Sequence, residues 1–127
     1  MHKTILIVDD EAHIRVLMEQ TLEDLEDHGV ELLLAANGVE ALELIKSRRP
    51  DLVFLDVMMP KLNGFEVCQA VKENVATRHT YIIMLTAKGQ ALDQRQGRDV
   101  GANLYMTKPF DPDEVLAKAR EILAIEH

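Results

Sequence analysis

Thr4-Ile5-Leu6-Ile7-Val8-Asp9-Asp10-Glu11 is the stretch on which the fold turns. Four apolar residues, three of them β-branched, stop abruptly at two carboxylates. The missing polar alternation predicts a strand covered on both faces, and so a parallel sheet. Asp9 and Asp10 then stand just past its C-terminal end. With this first run at residues 4–8, similar runs follow at 30–36, 52–55, 81–85 and 102–106. Asp56 closes the third run, Thr86 closes the fourth, and Lys108-Pro109 follows the fifth.

The intervening segments have helical periodicity. Ile14, Leu17, Met18, Thr21, Leu22 and Leu25 recur at helical spacing, as do Val115, Leu116, Ala119, Ile122 and Leu123. Asn37-Gly38 and Arg49-Pro50-Asp51 bound a second helix carrying Ala41, Leu42 and Ile45. A third follows Gly64, with Val67, Cys68 and Val71 on one stripe. Residues 88–100 are rich in Gln, Arg and Asp, and Leu92 and Val100 are their only large apolar anchors. This predicts a fourth helix, the least firmly docked of five. Strand–helix alternation repeated five times predicts an α/β fold with right-handed crossovers and helices on both faces of a parallel sheet. With no repeat, low-complexity tract or linker, residues 1–127 are expected to form a single domain.

At 127 residues the chain has a common domain size. It is long enough to bury roughly two-thirds of its surface on folding. A net charge of −8 opposes binding to a phosphate backbone, so no direct nucleic-acid contact is expected. The lone Cys68 cannot form an internal disulfide and reads as a packed apolar group in a reducing compartment. Ile5 to Val8 is too short for a signal-peptide core or a membrane span, so a cytoplasmic protein is expected.

Ligands of open α/β sheets bind outside the carboxyl ends of the strands. Asp9, Asp10, Asp56, Thr86 and Lys108 all fall there. Taken singly, each has an ordinary explanation: an aspartate after a strand caps the next helix, and a lysine lies on the surface. Together they do not. Two carboxylates about 4 Å apart repel by about 4 kcal/mol at an effective dielectric of ~20. That is large beside a total stability of about 5–15 kcal/mol. A hard divalent cation reverses the balance. Carboxylates, a backbone carbonyl and water suit Mg²⁺, with Mn²⁺ as a substitute, and no Cys/His set has zinc spacing.

These residues make the chain resemble the receiver domain of two-component response regulators. The resemblance is carried by Ile7-Val8-Asp9-Asp10-Glu11, Asp56-Val57-Met58-Met59-Pro60 with Gly64, Met84-Leu85-Thr86-Ala87, Gly101-Ala102 and Lys108-Pro109-Phe110. It spans essentially the whole chain. It implies a flavodoxin-like (CheY-like) three-layer α/β/α fold, a five-stranded sheet of order 2-1-3-4-5 and five helices; the order is the family's property. It implies that Asp56 accepts a phosphoryl group from a sensor histidine kinase or a histidine phosphotransfer protein. Asp10 and Asp56 would ligate Mg²⁺, with Asp9 assisting through water and the Met58 backbone carbonyl adding an oxygen. Lys108 would pair with a phosphoryl oxygen, and its bond to Pro109 would be cis. Pro60 and Gly64 would shape the loop after the acceptor.

The resemblance further implies a switch. Thr86 would bind the phosphoryl group, Tyr105 would move from an exposed to an inward rotamer, and the face built from the fourth helix, fifth strand and fifth helix would change shape. An output domain or downstream protein would read that face. Small Ala87 leaves the phosphoryl group accessible, whereas apolar Met58 hinders attacking water, so an aspartyl phosphate of intermediate persistence is expected. Such a protein catalyses only its own phosphorylation and dephosphorylation.

Asn103-Leu104 departs from the acidic pair with which many receivers dimerise. Arg120 thus lacks its acidic counterparts, Leu104 is left exposed for another contact, and a monomer or weak phosphorylation-dependent dimer is expected. His13, three residues after Asp10, reads as solvated. Two rival classes are weaker. A haloacid-dehalogenase-type phosphatase requires a second aspartate where Met58 stands. A non-phosphorylated receiver acting as a scaffold would lack the acidic pair, the acceptor or the lysine.

Overall fold

The computed structural model describes residues 2–87 and 100–125. Five strands, β1 (Lys3–Val8), β2 (Val30–Ala35), β3 (Leu52–Asp56), β4 (Tyr81–Ala87) and β5 (Leu104–Lys108), form one sheet. All pairs are parallel and the order is β2-β1-β3-β4-β5. Helices α1 (Ala12–Leu22), α2 (Gly38–Arg48), α3 (Gly64–Glu73) and α4 (Pro112–Leu123) pack around it, and a short 3-10 turn, Glu23–His28, extends α1. The helix expected within residues 88–100 lies outside the described residues, save Val100.

Period-two alternation of the strand side chains divides the interior into two cores. Leu6, Val8, Val53, Leu55, Ile82 and Met84 face Ala41 and Ile45 of α2 and Phe65, Val67, Cys68 and Val71 of α3. Ile5, Ile7, Leu52, Phe54, Ile83 and Leu85 face Met18 and Leu22 of α1 and Val115, Ala119 and Leu123 of α4. The central strands β1 and β3 are therefore apolar on both faces, as their unbroken runs predict. Each fully buried Leu, Ile or Phe contributes about 1.5–3 kcal/mol. At the sheet edge, Leu32, Leu33 and Leu34 of β2 are only half-buried.

Helix ends follow local chemistry. Asn37 caps α2 by accepting the Glu40 N–H, and Arg49 closes it in the left-handed region at φ 46°. Asn63 and Glu66 form a reciprocal capping box on α3, and Asp111 with Pro112 starts α4. Glu11 occupies the cap position of α1 without a side-chain bond. Neither Asp9 nor Asp10 is consumed in capping that helix.

Strand ends differ from the apolar runs. β4 continues through Thr86 to Ala87, because Thr86 pairs with Thr107 and Ala87 with Lys108. β5 begins at Leu104, two residues later than its run. The chain turns through Gly101 at φ 91°, and Asn103 fastens the turn. Its N–H donates to the Ile82 carbonyl, and its Oδ1 accepts from the Ile82 N–H (2.8 Å) and Lys72 Nζ (2.9 Å). Leu104 is half-buried against the α1/α4 core, which corrects the expectation that it is exposed.

Gly64 is required by close approach. A Cβ there would lie 2.4 Å from the Asp56 carbonyl oxygen, which is backbone and cannot rotate away. Gly64→Ala is expected to destabilise the protein by about 1–3 kcal/mol, the usual cost of overpacking. A urea unfolding midpoint equal to the parent's would refute this.

Candidate functional site

Parallel register brings the C-terminal ends of β1, β3, β4 and β5 to one edge. Asp56 ends β3 opposite Leu85, so Thr86 stands one residue beyond it on the neighbouring strand, and Lys108 ends β5 opposite Ala87. Carboxylate oxygens of Asp9, Asp10 and Asp56 lie within 4.8 Å of one another. Lys108 Nζ stands 2.7 Å from Asp9 Oδ2 and 3.1 Å from Asp56 Oδ1. Asp9, Asp10, Asp56 and Lys108 thus meet at one place, and Thr86 stands at the same sheet edge, one residue past the strand partner of Asp56.

Their environments differ. Asp9 is fully buried and every polar group on it is paired. Its N–H donates to Ala35, Oδ1 accepts the Glu11 N–H at 2.9 Å, Oδ2 takes Lys108, and its carbonyl takes Arg15 Nη1 at 2.6 Å. Asp10 is exposed, and its carboxylate has no hydrogen-bond partner among the described residues. Asp56 is 4% exposed. Burial, then the Asp9 carboxylate, pushes its carboxyl up to about 6, against opposition from Lys108 and the Met58 backbone. For Lys108, burial works against the ammonium, but hydrogen bonding to Asp9 and the charge of Asp56 outweigh it and hold its pKa above the usual value.

Three carboxylates meet one ammonium, so the pocket carries excess negative charge. Its donors are all hard oxygens. That set fits a small divalent cation and does not fit zinc.

Thr86 is fully buried, and its Oγ1 has no hydrogen-bond partner among the described residues. An unsatisfied buried hydroxyl costs about 1–3 kcal/mol, so its retention calls for an explanation in function. Tyr105 is half-buried against the α2/α3 core with its hydroxyl shielded from solvent. The Lys108-Pro109 bond is cis, as the resemblance implies. The Met58 side chain is 66% exposed two residues past Asp56. Exposed Pro60 accepts the Leu62 N–H in the loop leading to α3. His13 is exposed near Glu11, and Cys68 is buried with its thiol pushed by burial up to about 11.

Arg15 and Lys72 were not legible in the sequence. Arg15 reaches back from the first turn of α1 to Asp9. Lys72 Nζ ties the carbonyls of Arg78 (3.1 Å) and Thr80 (2.5 Å) to Asn103. Helical spacing put both on partly solvated faces, where a lone basic residue carries no further signal.

Fold and site together define a receiver domain. Residues 5–120 match the response regulator receiver domain family, and the chain belongs to it. Over 97% of its length it is 44% identical to the alkaline phosphatase synthesis transcriptional regulatory protein PhoP of Bacillus subtilis. Over 95% it is 46% identical to the phosphate regulon transcriptional regulatory protein PhoB of Pseudomonas aeruginosa. The matched stretches are 49% and 52% of those proteins, so the chain spans about half the length of the curated relatives it matches. The chemotaxis response regulator CheY4 of Vibrio cholerae has the same fold, with a TM-score of 0.84 and 34% identity over 96% of this chain and 99% of that one. Among the described residues no helix is long and apolar enough to cross a membrane.

Proposed function

We propose that this domain is a phosphorylation-dependent switch whose acceptor is Asp56 and whose donor is a phosphohistidine of a sensor kinase or histidine phosphotransfer protein. The phosphorus–nitrogen bond of the donor breaks as a bond from phosphorus to an Asp56 oxygen forms. The imidazole leaves with the electron pair and takes a proton from water. Asp10 and Asp56 would hold Mg²⁺ or Mn²⁺ directly, Asp9 would act through water and the Met58 carbonyl would assist; the bound cation offsets charge on the transferring phosphoryl oxygens.

The chain's own groups have separate tasks. Lys108 fixes one Asp56 oxygen and leaves the other to attack. After transfer its ammonium pairs with a phosphoryl oxygen as a point charge. The Thr86 hydroxyl donates to another phosphoryl oxygen, which draws the end of β4 toward the site, and the packing around Tyr105 changes with it. An output domain or separate protein reads the face that includes β5 and α4. The reaction is confined to the domain's own phosphorylation and dephosphorylation.

The observation that carries this reading is the buried Thr86 hydroxyl, without a hydrogen-bond partner among the described residues, one residue past the strand partner of an acceptor already held by lysine. It is hard to place in a scaffold that takes no phosphoryl group. The exposed Met58 where a second aspartate would stand opposes a phosphatase of the haloacid-dehalogenase type.

Incubation with acetyl phosphate and Mg²⁺ is expected to add one phosphoryl group by intact mass. Thr86→Ala is expected to accept the phosphoryl group to a similar level. With beryllofluoride, however, it should lose most of the chemical-shift change that the parent shows at Tyr105. Absence of a mass gain in the parent would overturn the reading, and an undiminished Tyr105 response in the variant would remove Thr86 from the switch.

A further inference from the structure

Asp10 offers the open carboxylate of the pocket, yet no side chain among the described residues bonds to it and sets its direction. Its direction is set by the peptide linking it to Asp9. That peptide is held on one side by the closed bonding of Asp9, whose N–H, Oδ1 and Oδ2 are all engaged in protein contacts. On the other side, Arg15 Nη1 donates to the Asp9 carbonyl at 2.6 Å, a short charge-assisted bond. Arg15 itself is anchored, because its N–H donates to the Glu11 carbonyl within the first turn of α1. It forms no ion pair with a carboxylate among the described residues. Among the described residues, the only polar group its side chain holds is the carbonyl that aims Asp10.

We propose that Arg15 is a positioning residue of the acceptor pocket: by clamping the Asp9–Asp10 peptide it orients the Asp10 carboxylate and raises the pocket's affinity for a divalent cation. This rests on the reading that the pocket binds such a cation. Groups behind metal ligands commonly alter affinity by 10–100-fold. Here the clamp acts against the local electrostatics, since a guanidinium close to the site repels an incoming cation. Positioning and simple charge therefore predict opposite signs.

The test is Mn²⁺ binding to the full chain, followed by electron paramagnetic resonance of the free ion. Arg15→Met retains the stem and is expected to weaken Mn²⁺ binding by about tenfold. Arg15→Lys keeps the charge, but its ammonium ends short of the Nη1 position, so it is also expected to bind more weakly than the parent. A purely electrostatic role would instead give tighter binding in Arg15→Met and parental binding in Arg15→Lys, and either result overturns the proposal. Should Arg15→Met fail to fold by circular dichroism, Arg15→Lys decides the matter. Phosphoryl uptake is measured on the same samples. A parent that binds Mn²⁺ but takes no phosphoryl group sinks the switch function and leaves the Arg15 comparison standing. A parent that binds no Mn²⁺ overturns the Arg15 inference whatever the phosphoryl assay shows.

Discussion

Asp56→Asn is expected to take up no phosphoryl group from acetyl phosphate and, without metal, to be more stable than the parent at pH 7 by up to about 3 kcal/mol. The first half follows from chemistry, since an amide oxygen is a poor nucleophile and would leave a labile product. The second follows from burial. In the folded state desolvation, then Asp9, pushes the Asp56 carboxyl from 3.8 to about 6. Unfolded, the same group ionises near 3.8. Between about pH 4 and 6 the native state therefore retains a proton that the unfolded chain has lost, and stability falls as pH rises through that window. Above about 6 the penalty is complete. A displacement of about two pH units corresponds to about 3 kcal/mol. Asparagine imitates the neutral acid, so its advantage should be full at pH 7 and fade toward pH 4. Saturating Mg²⁺ should erase or reverse it by stabilising only the parent. Urea unfolding at pH 4.5 and 7.5, with and without Mg²⁺, reads all three effects; an Asp56→Asn variant less stable than the metal-free parent at pH 7.5 would contradict the account.

Lys108→Ala is expected to destabilise the metal-free protein by about 3–5 kcal/mol, the range for removing one partner of a buried ion pair. Lys108 bridges Asp9 and Asp56, and its loss leaves Asp9 buried with an unpaired carboxylate oxygen. Its own pKa is held above 10.5 by Asp9 and Asp56 against desolvation, so its contribution is complete below about pH 10 and is lost only above that. The deficit of the variant should instead shrink as pH falls below about 6, where the buried Asp56 carboxyl takes up its proton. It should shrink again with Mg²⁺, which restores positive charge to the pocket. Because Lys108 also answers the arriving phosphoryl group, the variant should show little of the parent's Tyr105 response under beryllofluoride. Unfolding curves that overlay those of the parent at neutral pH would rule out a structural role for the bridge.

Much of this was legible in residue order. Unbroken runs such as Ile5 to Val8 report burial on both faces, because a parallel strand between helical layers has no wet side. Asn37 marks a helix start through a bond spanning three residues, which sequence can express. Strand ends were less legible. β5 starts where Asn103 meets Ile82 and Lys72, residues 21 and 31 positions away, and no local pattern encodes those partners. Leu104 was misjudged for the same reason, since apolar character beside a turn does not say which core is within reach.

The sequence by itself determined the α/β class, the helical layers on both faces of the sheet, and the identity of Asp9, Asp10, Asp56, Thr86 and Lys108, since each follows from periodicity or from chemistry placed at strand ends. Tertiary structure alone decided how those five divide their work. Folding engages Asp9 in protein contacts, leaves Asp10 exposed, raises Asp56 to a pKa of about 6, and buries the Thr86 hydroxyl without a partner among the described residues. The physical reason is distance along the chain. Lys108 and Asp9 are 99 residues apart and meet at 2.7 Å, and dielectric, charge and hydrogen bonding at such a point are properties of what surrounds a residue in space.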